Sequence, residues 1–239
     1  MTSITLYEVG GCVRDSLLGI KSKDVDFSCV VEGVDTVEEA YDEMRAEVLR
    51  RGGKVYLETP QFYTIRAKVP GLGDVDLVLA RHEEGYSDGR HPDFVRPGTL
   101  EEDLRRRDFT VNALARGEDG VIIDLFGGVD DLKKRILRPV GVAADRFRED
   151  PLRVFRAFRF EITKGLYIWD ISAFRMELAG LLLNRAFDSV STDRIREELD
   201  KAFRHDSVGA MLKLSYDYPI LLGIMNERKL WLKVTSEAR

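Results

Sequence analysis

Sequence patterns typical of β-strands occur in the first part of this chain and end at about Gly141. Up to that point, β-branched and apolar runs such as 25–31 and 75–80 alternate with segments of helical periodicity. Beyond it, four consecutive segments have the periodicity of amphipathic helices: 143–163, 171–185, 192–204 and 208–216. The sequence therefore predicts an α+β fold, with a mixed α/β domain at residues 1–140 and an all-helical domain at residues 141–239.

Composition restricts the class of protein further. The chain has 239 residues, of which 44% are hydrophobic, and this is enough for a packed core. The two cysteines, Cys12 and Cys29, lack the spacing of a disulfide framework or a zinc site, so we expect a reducing, cytoplasmic setting. No apolar run approaches the roughly 18 residues of a membrane span, so we expect no membrane segment.

The charge of the chain bears on its partners. The net charge is -5 at pH 7, with an isoelectric point near 5.4. An acidic protein binds nucleic acid only through local clusters of Lys and Arg. Such clusters occur at 105–107, at 133–135 and in the series Arg153, Arg156 and Arg159.

Local signals place several elements. Thr36 and Thr99 are each followed three residues later by Glu, a capping box that predicts the start of a helix. The turn 70–73 lies between two β-rich runs and predicts a hairpin. The polar segment 83–98, with scattered Gly, Asp and Pro, predicts a mobile loop.

Two aspartates, Asp24 and Asp26, alternate with apolar residues on a predicted strand, and Asp76 has the same alternation on another. Alternate side chains of a strand point to one face. Solvent-facing strand edges often carry such a pattern, but Asp is unfavourable in strands, which favours a functional explanation. Carboxylates that converge from adjacent strands can hold two Mg²⁺ ions about 3.5–4 Å apart, as phosphoryl or nucleotidyl transfer requires.

Gly10 and Gly11 precede a short predicted helix. They are consistent with an ordinary tight turn, and equally with a turn whose backbone approaches phosphate groups. Arg14 follows them, and a guanidinium group at this point suits a phosphate clamp.

A second polar block, RRDFTVNAL, places Asn112 in an apolar stretch. An Asn in such a position is unfavourable without a hydrogen-bond partner. That partner is either a ribose hydroxyl or phosphate oxygen of a ligand, or a backbone carbonyl of the protein.

Asp150 and Arg153 open the helical half of the chain and are spaced to be neighbours on one helix face. An ordinary surface ion pair is one explanation. The other is a template for a nucleotide base, because a carboxylate only accepts and Arg only donates hydrogen bonds. Cytosine and adenine match this pair with an amino donor and a ring-nitrogen acceptor, whereas uracil and guanine oppose acceptor to acceptor.

Together, these segments resemble the motifs of the class II nucleotidyltransferases, the family of tRNA CCA-adding enzymes and bacterial poly(A) polymerases. The strand VDLVLAR resembles the one that bears the third acidic position of the family. The resemblance spans residues 9 to about 203 and rests on segments in the family's order: GGCVRDSLLG with DVD, RRDFTVNALA, DLFGGVDDLKKRILRPVG, EDPLRVFRAFRF and STDRIREEL.

The resemblance implies a nucleotidyltransferase head with a mixed sheet of about five strands and flanking helices, followed by a helical neck and a shortened body. It implies Mg²⁺ as cofactor and transfer of C and/or A from CTP or ATP to an RNA 3′ end, above all that of tRNA. It assigns Asp24 and Asp26 to the metal and, together with Asp76, to catalysis. The nucleotide-binding residues that it implies are Gly10, Gly11, Arg14, Asp108, Asn112, Arg116, Asp150, Arg153, Arg156 and Arg159.

The chain departs from the family at its end, since only about 35 residues follow the last motif. Family members usually continue through helices that grip the tRNA, and a homodimer partner is one way to compensate. The segment GYSDGRHPDFVR resembles the flexible loop of members that add the final A. Two further functions stay open: poly(A) addition, and non-catalytic binding of a nucleotide or RNA on the same fold.

Overall fold

The structure is a computed structural model that describes residues 2–22, 25–84 and 94–230. The chain forms two compact units, Met1–Asp130 and Asp131–Arg239. The domain boundary predicted after residue 140 lies further along the chain than the division between these two units, and it stays a prediction. No helix in the described part of the chain is long and apolar enough to span a bilayer.

The first unit is built on a mixed sheet. Its strands are β1 (Ser3–Val9), β2 (Val25–Glu32), β3 (Lys54–Thr59), β4 (Thr64–Val69), β5 (Gly73–Leu79), β6 (Arg81–Glu84), β7 (Phe94–Pro97), β8 (Leu114–Arg116) and β9 (Ile122–Asp124). Its helices are α1 (Gly11–Leu17), α2 (Val37–Arg50), α3 (Leu100–Arg105) and α4 (Gly128–Lys133), the last of which spans the unit boundary.

The main sheet has seven strands in the order β3-β4-β5-β2-β1-β8-β9. Only the pair β2–β5 is parallel, and the other neighbours run antiparallel. The α+β class with a mixed sheet is therefore confirmed, but the expected count of about five strands is wrong. The additional strands are β3, an edge strand with no buried side chain, and β8, which has only three residues.

One face of this sheet packs against α2. Phe27 of β2 and Leu77 of β5 share a buried apolar cluster with Met44 of α2, and the thiol of Cys29 lies in the same cluster. Since successive side chains of a strand point to opposite faces, Asp26 and Asp76 point away from this core. The fold thus separates an apolar face covered by α2 from a face that carries carboxylates.

The polar segment 83–98 contains more structure than its sequence predicts. Its two ends pair as the antiparallel strands β6 and β7, and only residues 85–93 lie outside the described residues. One carboxylate links the two strands to α3, because Glu102 lies 2.8 Å from Nδ1 of His82 on β6 and 2.8 Å from Nη2 of Arg96, the register partner of His82 on β7. Because charged contacts hold these segments, they lack the alternation of apolar and polar residues from which a strand is predicted.

The second unit is mainly helical. It contains the helices α5 (Ala143–Glu149), α6 (Leu152–Lys164), α7 (Ile171–Leu183), α8 (Thr192–His205), α9 (Ser207–Tyr216) and α10 (Pro219–Glu227), with a two-residue parallel pair of β10 (Ile136–Leu137) and β11 (Tyr167–Ile168). The single helix expected at 143–163 is wrong, since it divides at Asp150 and Pro151. Asp150 has an extended backbone, with φ -143° and ψ 96°, because a residue before proline is disfavoured in the α region.

Candidate active site

The turn between β1 and α1 brings two guanidinium groups against two glycines. Gly10 has φ 74°, and a Cβ placed on it would lie 2.7 Å from Nη1 of Arg107. A Cβ on Gly11 would lie 3.6 Å from Nη2 of Arg14. We call this arrangement of Gly10, Gly11, Arg14 and Arg107 the glycine cradle. Only glycine permits both the left-handed backbone and the close approach of Arg107 at position 10.

A chain of buried polar side chains lies directly behind the glycine cradle. Arg14 donates from Nη1 to Oδ1 of Asn112, and from Nε to Asp15 over 2.8 Å. Asn112 in turn donates to Oδ1 of Asp108 over 2.9 Å, and the same oxygen accepts from the Phe109 amide. Arg14, Asn112 and Asp108 are all buried. Among the described residues, the side-chain amide of Asn112 bonds to Arg14 and Asp108 rather than to a backbone carbonyl.

The predicted carboxylates come together in part. Asp26 and Asp76 are direct partners in the parallel register of β2 and β5, and strands so paired lie about 4.8 Å apart. Asp76 also forms an ion pair of 2.9 Å with Arg66 of β4. Asp24 lies outside the described residues. Within the described ranges, no group of three or more His, Cys, Asp or Glu is arranged to hold a metal ion.

The start of α1 adjoins the strand that carries Asp26. The Sγ atom of Cys12 lies 3.2 Å from the carbonyl oxygen of Val9 and 4.0 Å from that of Asp26. The thiol is buried, and this burial raises the pKa of Cys12. The glycine cradle and the Asp26 backbone are therefore neighbours in one unit.

Arg107 belongs to this site although the sequence analysis did not select it. The signal was the run Arg105–Arg107, which is more often a solvated helix face. The structure shows that Arg107 is only partly exposed and donates from Nη2 to Asp103 over 3.0 Å. A basic run that ends in an apolar block, as here before Phe109, could have indicated an inward-facing arginine.

Arg116 lies on the other face of the sheet. It is the register partner of Glu8, and Glu8 is the register partner of Phe27, whose side chain points to the core under α2. Arg116 donates from Nε to Glu8 over 2.9 Å and lines a cleft of about 350 Å³ with Phe27. The structure thus brings Gly10, Arg14 and Asn112 together but does not bring Arg116 to the carboxylate face.

The predicted base-selecting pair lies in the second unit. Asp150 stands between α5 and α6, so the expectation that it shares one helix with Arg153 is corrected. Its Oδ1 accepts from the Leu152 amide over 3.1 Å, and its Oδ2 pairs with Arg194 of α8 over 3.0 Å. Arg153 donates to the carbonyl oxygen of Arg146 over 2.8 Å. Each of the two side chains is therefore held by a different neighbour.

Arg156 and Arg159 converge on a glutamate that the sequence analysis missed. Glu198 of α8 is buried, pairs with Arg159, and lies 3.5 Å from Nη1 of Arg156. The guanidinium carbon of Arg159 also lies 4.0 Å from the ring centre of Phe160, a cation–π distance. The signal for Glu198 was its place in the buried stripe of α8, beside Ile195, Leu199 and Ala202.

A two-glycine turn with guanidinium groups, next to facing aspartates of a mixed sheet, is the arrangement expected of a nucleotidyltransferase. The family described as Poly A polymerase head domain matches residues 6–138. The chain therefore belongs to this family of nucleotidyltransferases, which also includes the CCA-adding enzymes.

Individual relatives agree with this assignment. The chain is 40% identical over 198 residues to a CCA-adding enzyme of Latilactobacillus sakei. This match covers 82% of the chain and 45% of that relative. It superposes with a TM-score of 0.71 and 30% identity on a Bacillus stearothermophilus CCA-adding enzyme in complex with CTP, over 90% of the chain and 48% of that structure. A Thermotoga maritima CCA-adding enzyme complexed with tRNA matches with a TM-score of 0.65 and 27% identity, over 95% and 47% of the two chains. The chain thus spans about half the length of these relatives.

Proposed function

We propose that the protein is a template-independent RNA nucleotidyltransferase that adds C and/or A from CTP or ATP to the 3′ end of tRNA. The observation that carries this proposal is the glycine cradle beside the strand of Asp26. The relatives described as bound to CTP and to tRNA support the choice of nucleotide and RNA. The reaction joins the α-phosphorus of the nucleotide to the RNA 3′-oxygen and releases pyrophosphate.

In this proposal the glycine cradle binds the triphosphate. The backbone of Gly10 and Gly11 allows phosphate oxygens to approach without a side chain in the way. Arg107 and Arg14 supply two guanidinium groups, which bind phosphate through paired, charge-assisted hydrogen bonds. Asn112 and Asp108 hold Arg14 in place from behind, so we assign them a positioning role toward the nucleotide.

The carboxylate face fits a divalent cation. Carboxylate oxygens are the ligands that Mg²⁺ prefers, and Asp26 carries a carboxylate on the strand whose backbone adjoins α1. Asp24 and Asp26 would hold the ion, while Asp76, whose Oδ1 pairs with Arg66, would share the site through its other oxygen. When bound, Mg²⁺ would activate the RNA hydroxyl and stabilise the charge on the leaving pyrophosphate.

Asp150 and Arg153 are proposed to select the base, and Arg156 and Arg159 to bind nearby nucleotide or primer phosphates. We expect Asp150→Ala to relax the preference for CTP and ATP over UTP and GTP, because the carboxylate that opposes a carbonyl is removed. Misincorporation is measured with each labelled nucleotide in turn. Asp193→Ala, an exposed aspartate of α8, is the matched control. An unchanged preference in Asp150→Ala would refute the template role.

The direct test is incubation of the full chain with labelled CTP or ATP, Mg²⁺ and tRNA that lacks its 3′ end. We expect incorporation, and we expect Asp26→Asn to lower it by at least ~100-fold with the fold retained. Asp74→Asn, an exposed position on β5, should leave it unchanged. Absence of incorporation by the unmodified chain would contradict the enzymatic proposal, and CTP binding without turnover would favour the non-catalytic alternative.

Poly(A) addition is the second candidate, since the matching family is described by a poly(A) polymerase head domain. The two activities differ in the product. CCA addition stops after three nucleotides, whereas poly(A) addition continues. Sequencing of the product ends from a mixed RNA pool separates them.

A further inference from the structure

A line of alternating charges leads from β6 to the glycine cradle. Glu83 of β6 accepts from Arg81 over 2.6 Å and from Arg106 over 3.0 Å. Arg106 also pairs with Asp103 of α3 over 3.1 Å, and Asp103 pairs with Arg107 over 3.0 Å. Arg107 ends this line with its Nη1 against Gly10.

Asp103 is the buried centre of this line. Its side chain is only 6% exposed, so its charge is removed from water almost entirely. Burial alone would raise the pKa of Asp103, but the charges of Arg107 and Arg106 outweigh it and hold the pKa below its usual range. Such a carboxylate is retained only with excellent partners, and here the two oxygens bind two different arginines.

The contacts of Arg107 define its orientation. Its Nη2 is bonded to Asp103 and its Nη1 faces Gly10, so the plane of the guanidinium group is fixed at one edge. Its Nε is buried, and nothing in residues 2–22, 25–84 and 94–230 accepts a hydrogen bond from it. An arginine side chain on its own has many rotamers, so this orientation depends on Asp103.

We propose that Asp103 is a positioning residue that holds the guanidinium group of Arg107 against Gly10 in the orientation that a triphosphate requires. The proposal rests on the function proposed above. It predicts that substitution of Asp103 weakens triphosphate binding only because the guanidinium group of Arg107 is no longer held in place.

The test is a double-mutant cycle with inorganic tripolyphosphate as the probe, measured by calorimetry on the full chain in the presence of Mg²⁺. We expect Arg107→Ala to weaken binding by at least ~10-fold, as for the loss of a charge-assisted hydrogen bond. Asp103→Asn should weaken it by ~3–10-fold, and should add nothing in the Arg107→Ala background. In turnover, Asp103→Asn should raise the KM for CTP and leave the KM for tRNA unchanged.

A matched control is Asp131→Asn, which removes another buried aspartate paired with an arginine, Arg138. It should leave tripolyphosphate binding unchanged. If Asp103→Asn does not fold, Asp103→Glu replaces it, since its longer side chain keeps the charge but displaces the guanidinium group. A loss that persists undiminished in the Arg107→Ala background would overturn the positioning role, as would normal binding by both Asp103 variants.

The same cycle separates this inference from the function on which it rests. Unchanged binding in Arg107→Ala, or no binding by the unmodified chain, would contradict the glycine cradle as the triphosphate site. Weakened binding in Arg107→Ala with normal binding in Asp103→Asn would contradict only the positioning role.

Discussion

At the scale of single residues, the close contact between Gly10 and Arg107 has the strongest consequence. The backbone of Gly10 requires a left-handed conformation, and its missing side chain leaves room for a guanidinium nitrogen. Either requirement alone would favour glycine. Because the positive φ and the close approach of Arg107 both apply at position 10, a substitution there affects the backbone and the glycine cradle together.

We therefore expect Gly10→Ala to impair nucleotide addition and stability together. The strained backbone should cost about 1–2 kcal/mol of unfolding free energy, and the new Cβ displaces Arg107. Gly71→Ala is the matched control, because Gly71 has φ 81° but nothing within 4 Å of an added Cβ. It should lose similar stability and keep its KM for CTP. Denaturant titrations and turnover measure the two effects, and equal KM values in both variants would contradict the contact.

At the scale of elements, local signals predicted helix starts and turns well. Both capping boxes, at Thr36 and Thr99, are present, and the hairpin at 70–73 pairs Val69 with Gly73 as expected. These features are fixed by hydrogen bonds within a few residues. The sequence therefore contains them in full.

Elements that depend on distant partners were missed. Strand β3 lies at the sheet edge with little apolar alternation, and β6 and β7 are joined to α3 by charges such as those around His82. In the candidate site, the motifs indicated Gly10, Arg14 and Asn112. They did not indicate Arg107, because the glycine that it contacts lies nearly 100 residues away in the chain.

A buried carboxylate joins three elements of the helical unit. Glu161 of α6 accepts from the Tyr218 hydroxyl, lies 3.4 Å from the ammonium group of Lys213 on α9, and accepts from the Ile168 amide of β11 over 3.4 Å. Lys213 is shared with Asp217. Burial raises the pKa of Glu161, although Tyr218 and Lys213 partly oppose the shift.

This shift predicts a pH dependence with a definite sign. The folded state keeps the proton of Glu161 to a higher pH than the unfolded chain, whose Glu pKa is about 4.3. The contribution to stability is thus fully present below about pH 4.3 and is lost as the pH rises through the folded pKa. Glu161→Gln cannot titrate, so its unfolding free energy relative to the unmodified chain should increase over that range. Denaturant titrations at several pH values measure this, and a difference that stays flat over that range would contradict the raised pKa of Glu161.

At the scale of the whole molecule, an acidic chain is proposed to bind a polyanion. With a net charge of -5, binding must depend on local basic clusters rather than on overall attraction. The three consecutive basic residues at 133–135 are all exposed in the second unit. They are the clearest such cluster whose side chains face solvent.

We expect the double variant Lys133→Glu and Lys134→Glu to weaken tRNA binding and to reduce its salt dependence. Each RNA phosphate that the variant no longer neutralises should lower the slope of log K against log salt by about 0.7–0.9. The KM for CTP should stay the same. Filter binding at several salt concentrations measures the slope, and Lys68→Glu on the exposed side of β4 is the control. An unchanged slope would remove this cluster from the RNA-binding surface.

The two cysteines are buried in different parts of the first unit, Cys12 beside the glycine cradle and Cys29 in the sheet core. Burial raises the pKa of both thiols, so a thiol-specific reagent labels each one only when its surroundings open. Mass spectrometry of the labelled peptides would measure the labelling rate of each cysteine separately. If the glycine cradle binds a triphosphate, CTP should slow the labelling of Cys12 more than that of Cys29. The chain thus carries its own reporter of nucleotide binding, which needs neither RNA nor turnover.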